Sequence, residues 1–176
     1  MKLHYPLCAS LLALAACSPP PPAPPPAPVV KPAPVVAPAP PPPRRSGNWL
    51  DWPLAAGDWV YRRDERGSLA LFGPTGQNAT VTLRCDTTRR RLYLARAGSG
   101  SAGRMTVRTS STLKEFAASP TGATPAYLAT EILPTDPILD AMAFSRGRIA
   151  LEVDGQQPIA IPSWTEITRI VEDCRA

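Results

Sequence analysis

From residue 58 onward, short runs of alternating apolar and polar positions recur between clusters of turn-forming residues. Ala79, Val81, Leu83 and Cys85 alternate with Thr80, Thr82, Arg84 and Asp86, which predicts a strand with one buried face and an inward Cys85. Leu92 and Leu94, set against Arg91, Tyr93 and Ala95, predict its antiparallel return over Arg90 to Arg96. Asp58 to Arg63 and Ser68 to Phe72 flank Glu65-Arg66-Gly67 as a hairpin. Arg104 to Thr109 alternates with Met105 and Val107 inward, beyond a small-residue loop at 98 to 103. Leu113 to Ala118 and Ala126 to Leu133 give weaker strand signals around Ser119-Pro120-Thr121-Gly122. Arg148 to Asp154 alternates, and Asp154-Gly155 turns it back onto Pro158 to Ile161.

Two segments change period. Asp136-Pro137 has the form of a helix start, Asp as cap and Pro at the first helical position, with Ile138, Leu139 and Met142 on one side. Ile167, Ile170, Val171 and Cys174 repeat at i, i+3, i+4 and i+7, and Ser163 and Glu166 stand ahead of them at capping-box spacing. The predicted fold is therefore mainly β, an antiparallel sandwich or a strongly bent sheet. It carries a short helix near 137 to 144 and a final helix near 164 to 174, with α+β as the alternative. Some 130 residues from Asn48 suffice for one domain, bounded here as 48 to 176.

The first 47 residues have another character. Lys2 precedes an apolar run from Leu7 to Ala16 broken only by Ser10, a signal peptide too short to cross a bilayer as a helix. Leu14-Ala15-Ala16-Cys17 resembles the lipobox of bacterial lipoproteins. That resemblance implies cleavage between Ala16 and Cys17, and acylation of Cys17 by a thioether diacylglycerol and an amide-linked chain. Ser18 in place of Asp implies the outer membrane, inner leaflet, facing the periplasm. A plain secretory signal is the alternative. Residues 19 to 43 hold fifteen prolines among Ala, Val and one Lys, so 17 to 43 reads as a lipidated cysteine on a polyproline II spacer. At about 3.1 Å per residue it reaches roughly 75 to 80 Å. The repeated Pro-x-x-Pro spacing also fits a ligand for an aromatic groove, a pattern that low-complexity proline satisfies trivially.

Charge and residue inventory then narrow the chemistry. Removal of the signal lowers the formal charge from +5 to +4 by loss of Lys2, a mild excess without a nucleic-acid signature. His4, the sole histidine, leaves with the signal, which excludes Ser-His and Cys-His catalysis and His-containing metal sites. No cofactor motif is present. With Cys8 discarded and Cys17 acylated, Cys85 and Cys174 remain. In an exported domain such a pair most often forms one disulfide, with two separate buried thiols as the alternative.

Outward positions of the central strands carry Arg84, Arg91, Tyr93, Arg104 and Arg108. This set can bind a carboxylate, phosphate or glycan, but the favoured reading is a solvated sheet face, since antiparallel sheets usually leave one face polar. Asp136 and Asp140, four apart, offer the one paired-carboxylate arrangement for a His-free hydrolase, and read otherwise as a cap and an exposed charge. Ser145-Arg146-Gly147-Arg148 reads as a turn. Trp164 and Glu166 suit a partner surface or local packing.

Val81-Thr82-Leu83-Arg84-Cys85, Leu92-Tyr93-Leu94, Arg148-Ile149-Ala150-Leu151 with Gly155, and the late cysteine are together similar to uncharacterised proteobacterial envelope lipoproteins. More distantly they resemble periplasmic β-domains of the invasion-associated locus B type. The resemblance implies the fold and the disulfide. The Ser-Gly loop and the Pro spacer depart from it, so no partner carries over. The expected function is a membrane-anchored, non-enzymatic binding or assembly module whose partner is an envelope protein or peptidoglycan.

Overall fold

In the computed structural model, which describes residues 47–176, the alternating runs become nine strands. They are β1 (Asp58–Asp64), β2 (Gly67–Gly73), β3 (Val81–Asp86), β4 (Arg91–Ala97), β5 (Gly103–Arg108), β6 (Leu113–Pro120), β7 (Tyr127–Ile132), β8 (Ile149–Val153) and β9 (Ile159–Ile161). Helix α1 (Pro137–Ala143) lies between β7 and β8, and α2 (Thr165–Arg175) follows β9. Leu14 to Cys17, read as a lipobox, and residues 19 to 43, read as a spacer, lie outside the described residues.

All strand pairs are antiparallel, in the order β1-β2-β3-β4-β7-β6-β5-β8-β9. The result is one strongly curled sheet, a half-barrel, rather than a sandwich. Short loops dictate the β1–β4 meander. The β3–β4 loop closes with Arg90 in the left-handed region (φ 51°), and Asp86 Oδ1 accepts the Arg89 N–H at 3.0 Å. The sheet then bends along β6. Leu113 to Ala118 pair with β5, whereas Ser119 and Pro120 pair with β7, so one strand passes from one neighbour to the other at Ala118-Ser119.

The concave side is the core. Leu83, Cys85, Leu92, Leu94, Met105, Leu128, Ile132, Ile149 and Leu151 face α1 residues Ile138, Leu139 and Met142 and the α2 stripe Ile167, Ile170, Val171 and Cys174. The three aliphatic residues of that stripe contribute about 1.5–3 kcal/mol each by burial, before the entropy of ordering them. α2 packs chiefly on β2, β3 and α1 and also reaches β1 and β4, filling the half-barrel as a plug. On the opposite face, Trp52 packs on Ala150 and Ala160, with Trp49 against them. Beside it Leu54 forms a parallel bridge with Ala160, and Ala55 N–H donates to Ala160 O at 2.7 Å, covering the outer edge of β9.

The helix starts divide the expectations. Asp136 caps α1 by accepting the Ile138 N–H at 3.1 Å, with Pro137 in the first turn. The capping box at Ser163 and Glu166 does not form. α2 begins at Thr165 behind Trp164, with no side-chain cap, which places Glu166 one position too early to reach back. The Ser163 hydroxyl instead donates to Met142 O (2.6 Å) at the end of α1, where orphan carbonyls compete for it.

Candidate functional site

The richest concentration of polar chemistry lies where β1 meets α2. Alternation in β1 turns Trp59, Tyr61 and Arg63 toward the helix. Trp59 is buried against Phe72, ring centroids 5.3 Å apart, and its indole N–H donates to Pro162 O at 2.9 Å. Tyr61 donates to Asp173 Oδ2 at 2.7 Å and accepts from Arg63 Nε at 2.7 Å. Arg63 Nη2 closes the triangle on Asp173 Oδ1 at 2.9 Å, and the Arg169 guanidinium lies 3.8 Å over the Tyr61 ring. Burial pushes the Asp173 carboxyl up, but the hydroxyls of Tyr61 and Ser68 and the Arg63 guanidinium outweigh it and hold Asp173 below the usual carboxylate range. Ser68 Oγ acts there by proximity, without the geometry of a hydrogen bond.

Two recesses flank this network. One, of about 420 Å³, opens at the end of α2 and is lined by Arg63, Ser68, Thr87, Arg90 and Asp173. Cys174 lines it too and is bonded to Cys85, with the Cα atoms 5.4 Å apart and both residues buried. The strand period and the helix period thus deliver the two sulfurs to one point. The second recess, of about 430 Å³, runs along the exposed flank of α2 beside Tyr61, lined by Thr165, Glu166, Thr168, Arg169 and Glu172. Among the described residues no group of three or more His, Cys, Asp or Glu is placed to hold a metal ion.

The residues of the expected anion-binding face do not converge. Arg84 and Tyr93 oppose each other across β3 and β4. Arg104 and Arg108 lie on β5, which β7 and β6 separate from β4. Each guanidinium also has its own acid. Arg84 grips Asp64 at 2.7 and 2.9 Å, a hydrogen-bonded pair that lowers the Asp64 carboxyl to about 2. Arg91 meets Glu131 at 2.8 Å, Arg108 meets Glu152 at 3.1 Å, and Arg104 stands 3.6 Å from Glu115. Cross-strand pairing spends these charges within the sheet.

No family model, curated protein or solved structure matches this chain.

The remaining candidates are likewise committed to structural partners. Asp136 caps α1 and pairs with Lys114. Asp140 faces elsewhere, bidentate to Arg175 at 2.7 and 3.1 Å, and the Arg175 hydrogen bonds hold its carboxyl low. The two carboxylates therefore share no substrate position. Ser145 Oγ is buried, accepting from Ser110 N–H and donating to Arg148 O, which knits the turn after α1 to the β5–β6 loop. Trp164 is 44% exposed and Glu166 has one carboxylate oxygen that is buried without a hydrogen-bond partner. Ala16 and Cys17 lie outside the described residues.

Pattern reading missed Tyr61, Arg63, Arg169 and Asp173. Two signals pointed to them: Tyr61 and Arg63 share the Trp59 face of β1, and Arg169 and Asp173 are opposite charges four apart on a helix.

Proposed function

We propose that the protein is a lipid-anchored lipoprotein of the bacterial envelope whose β-domain is a non-enzymatic binding or assembly module, held away from the membrane by the proline-rich spacer. The sequence Leu14-Ala15-Ala16-Cys17 at the end of an apolar run carries this reading. Acylated Cys17 holds the outer membrane, and residues 19 to 43 set the reach.

The domain's chemistry supports export. The two cysteines left after Cys8 and Cys17 are buried together as a bridge, as suits an oxidising compartment. The binding reading over catalysis is supported by the separation of Asp136 from Asp140 and by the want of any histidine after residue 4. A glycan-binding role for the arginine face is the weaker version, since Arg84, Arg91, Arg104 and Arg108 all have acidic neighbours.

Fractionation of cells expressing the wild type and Cys17→Ser tests the anchor. The wild type sediments with membranes and the variant is released in soluble form. Sedimentation of both alike contradicts the proposal.

A further inference from the structure

We propose that the open edge of β1 and the adjoining flank of α2 form a docking trench for one extended peptide strand of an envelope partner, with basic side chains at alternate positions. This rests on the reading of the domain as a binding module and states the chemistry of what it binds.

The backbone argument follows from the phase of the ladder. Ala97 N–H donates to Thr80 O, and that pair continues the β3–β4 register of Val81 with Arg96. Even-numbered β3 residues therefore bond toward β4, and Val81, Leu83 and Cys85 bond toward Phe72, Ala70 and Ser68 of β2. By the same alternation Gly67, Leu69, Leu71 and Gly73 bond toward Asp64, Arg62, Val60 and Asp58. The N–H and C=O groups of Trp59, Tyr61 and Arg63 thus point to the open side, and no backbone group among the described residues meets them there. The opposite edge of the sheet, at β9, is covered by Leu54 and Ala55. Of the two end strands of the sheet, β1 is thus the open one among the described residues, and its charged end at Arg62 to Asp64 blunts indiscriminate pairing.

A strand added to β1 would continue the half-barrel wall and lie along the 430 Å³ recess on α2. The recess decides the partner's charge. Glu166 presents a buried carboxylate oxygen with no hydrogen-bond partner, and Glu172 makes no ion pair among the described residues. The one cation of the lining, Arg169, is laid over Tyr61. A Lys or Arg on the inward face of the incoming strand would supply the donor that Glu166 lacks and relieve the cost of burying it unpaired. A second copy of this chain fits less well, because antiparallel self-pairing centred on Tyr61 sets Asp58 against Asp64.

The test is titration of the purified full-length protein in detergent with a short blocked peptide alternating Lys and Val, and with its Glu and Val counterpart. The Lys peptide binds saturably and the Glu peptide does not. Arg63→Pro, which removes one open-edge N–H where proline is tolerated, weakens binding about tenfold. Arg63→Ala keeps that N–H and changes binding by less than about threefold, since its ion pair is exposed. Glu166→Gln weakens the Lys peptide by about tenfold and decides the matter alone if Arg63→Pro melts early. The proposal is overturned if the Lys peptide fails to bind, if both peptides bind alike, or if neither variant moves the affinity. A wild-type dimer that Arg63→Pro converts to monomer would assign the edge to a second copy and likewise overturn it. None of these outcomes bears on membrane fractionation, so this inference and the anchor fail separately.

Discussion

Replacement of both Cys85 and Cys174 by alanine should cost about 5 kcal/mol of stability. The bridge joins the middle of the sheet to the last turn of α2 across a sequence separation of 89 residues. Closing a loop of that length in the unfolded chain is worth about 4–5 kcal/mol in the chain-entropy account. Loss of two buried sulfurs from the packed core adds about 1 kcal/mol more. A domain of this size has about 5–15 kcal/mol in total, so the variant should be marginal. Urea unfolding of the oxidised wild type and of Cys85→Ala/Cys174→Ala, followed by far-ultraviolet circular dichroism, measures the difference. Amide exchange should lose protection first in α2, whose C-terminal turn the bridge holds, and last in β8. A loss below about 1.5 kcal/mol, or uniform loss of protection, would refute the view of the bridge as the staple of α2.

Three further outcomes follow from local geometry. Gly57 adopts φ +130°, and a Cβ there would stand 2.3 Å from the Gly73 carbonyl carbon, so Gly57→Ala should lower stability by about 1–3 kcal/mol; an unchanged melting temperature would remove the close approach of the chain entering β1 to β2. Asp136→Ala should cost about 1 kcal/mol by uncapping α1, whereas Lys114→Ala, which removes only the ion pair, should cost a few tenths; equal effects would assign the role to the pair. Asp64, held at about 2 by Arg84, and Asp86, Asp140 and Asp173, also lowered, all have folded values below the unfolded value near 3.9. Their stabilisation is complete above about pH 4 and is lost as the pH falls through the folded values toward about 2, so thermal melts should drop steeply over that window and less steeply in Asp64→Asn. A flat profile across the window would contradict the ion-pair assignments.

Much of the fold was legible because the signals are local. Period-2 alternation marked β3, β4, β5 and β8, and the Asp136-Pro137 start and the stripe ending at Cys174 located both helices. What local pattern does not contain is neighbour choice. β4 pairs with β7 and not with β5, because β5, β6 and β7 return as a meander and β7 is the strand that reaches β4. That one fact dispersed Arg84, Arg91, Arg104 and Arg108. Ser163 misled for a related reason, since its hydroxyl had carbonyls of α1 within reach that lie some twenty residues earlier. The Tyr61–Asp173 contact spans 112 residues, so the local signals in each segment do not join the two residues to each other. Cys85 and Cys174 were legible despite their separation because both lay on faces marked for burial by periodicity.

The anchor is the central claim, and the N-terminal peptide of the mature protein tests it most directly. Mass spectrometry of protein extracted from membranes should find a chain that begins at Cys17 and carries the mass of a diacylglycerol and an amide-linked acyl chain. A mature chain that starts elsewhere, or an unmodified Cys17 at its start, would contradict the account.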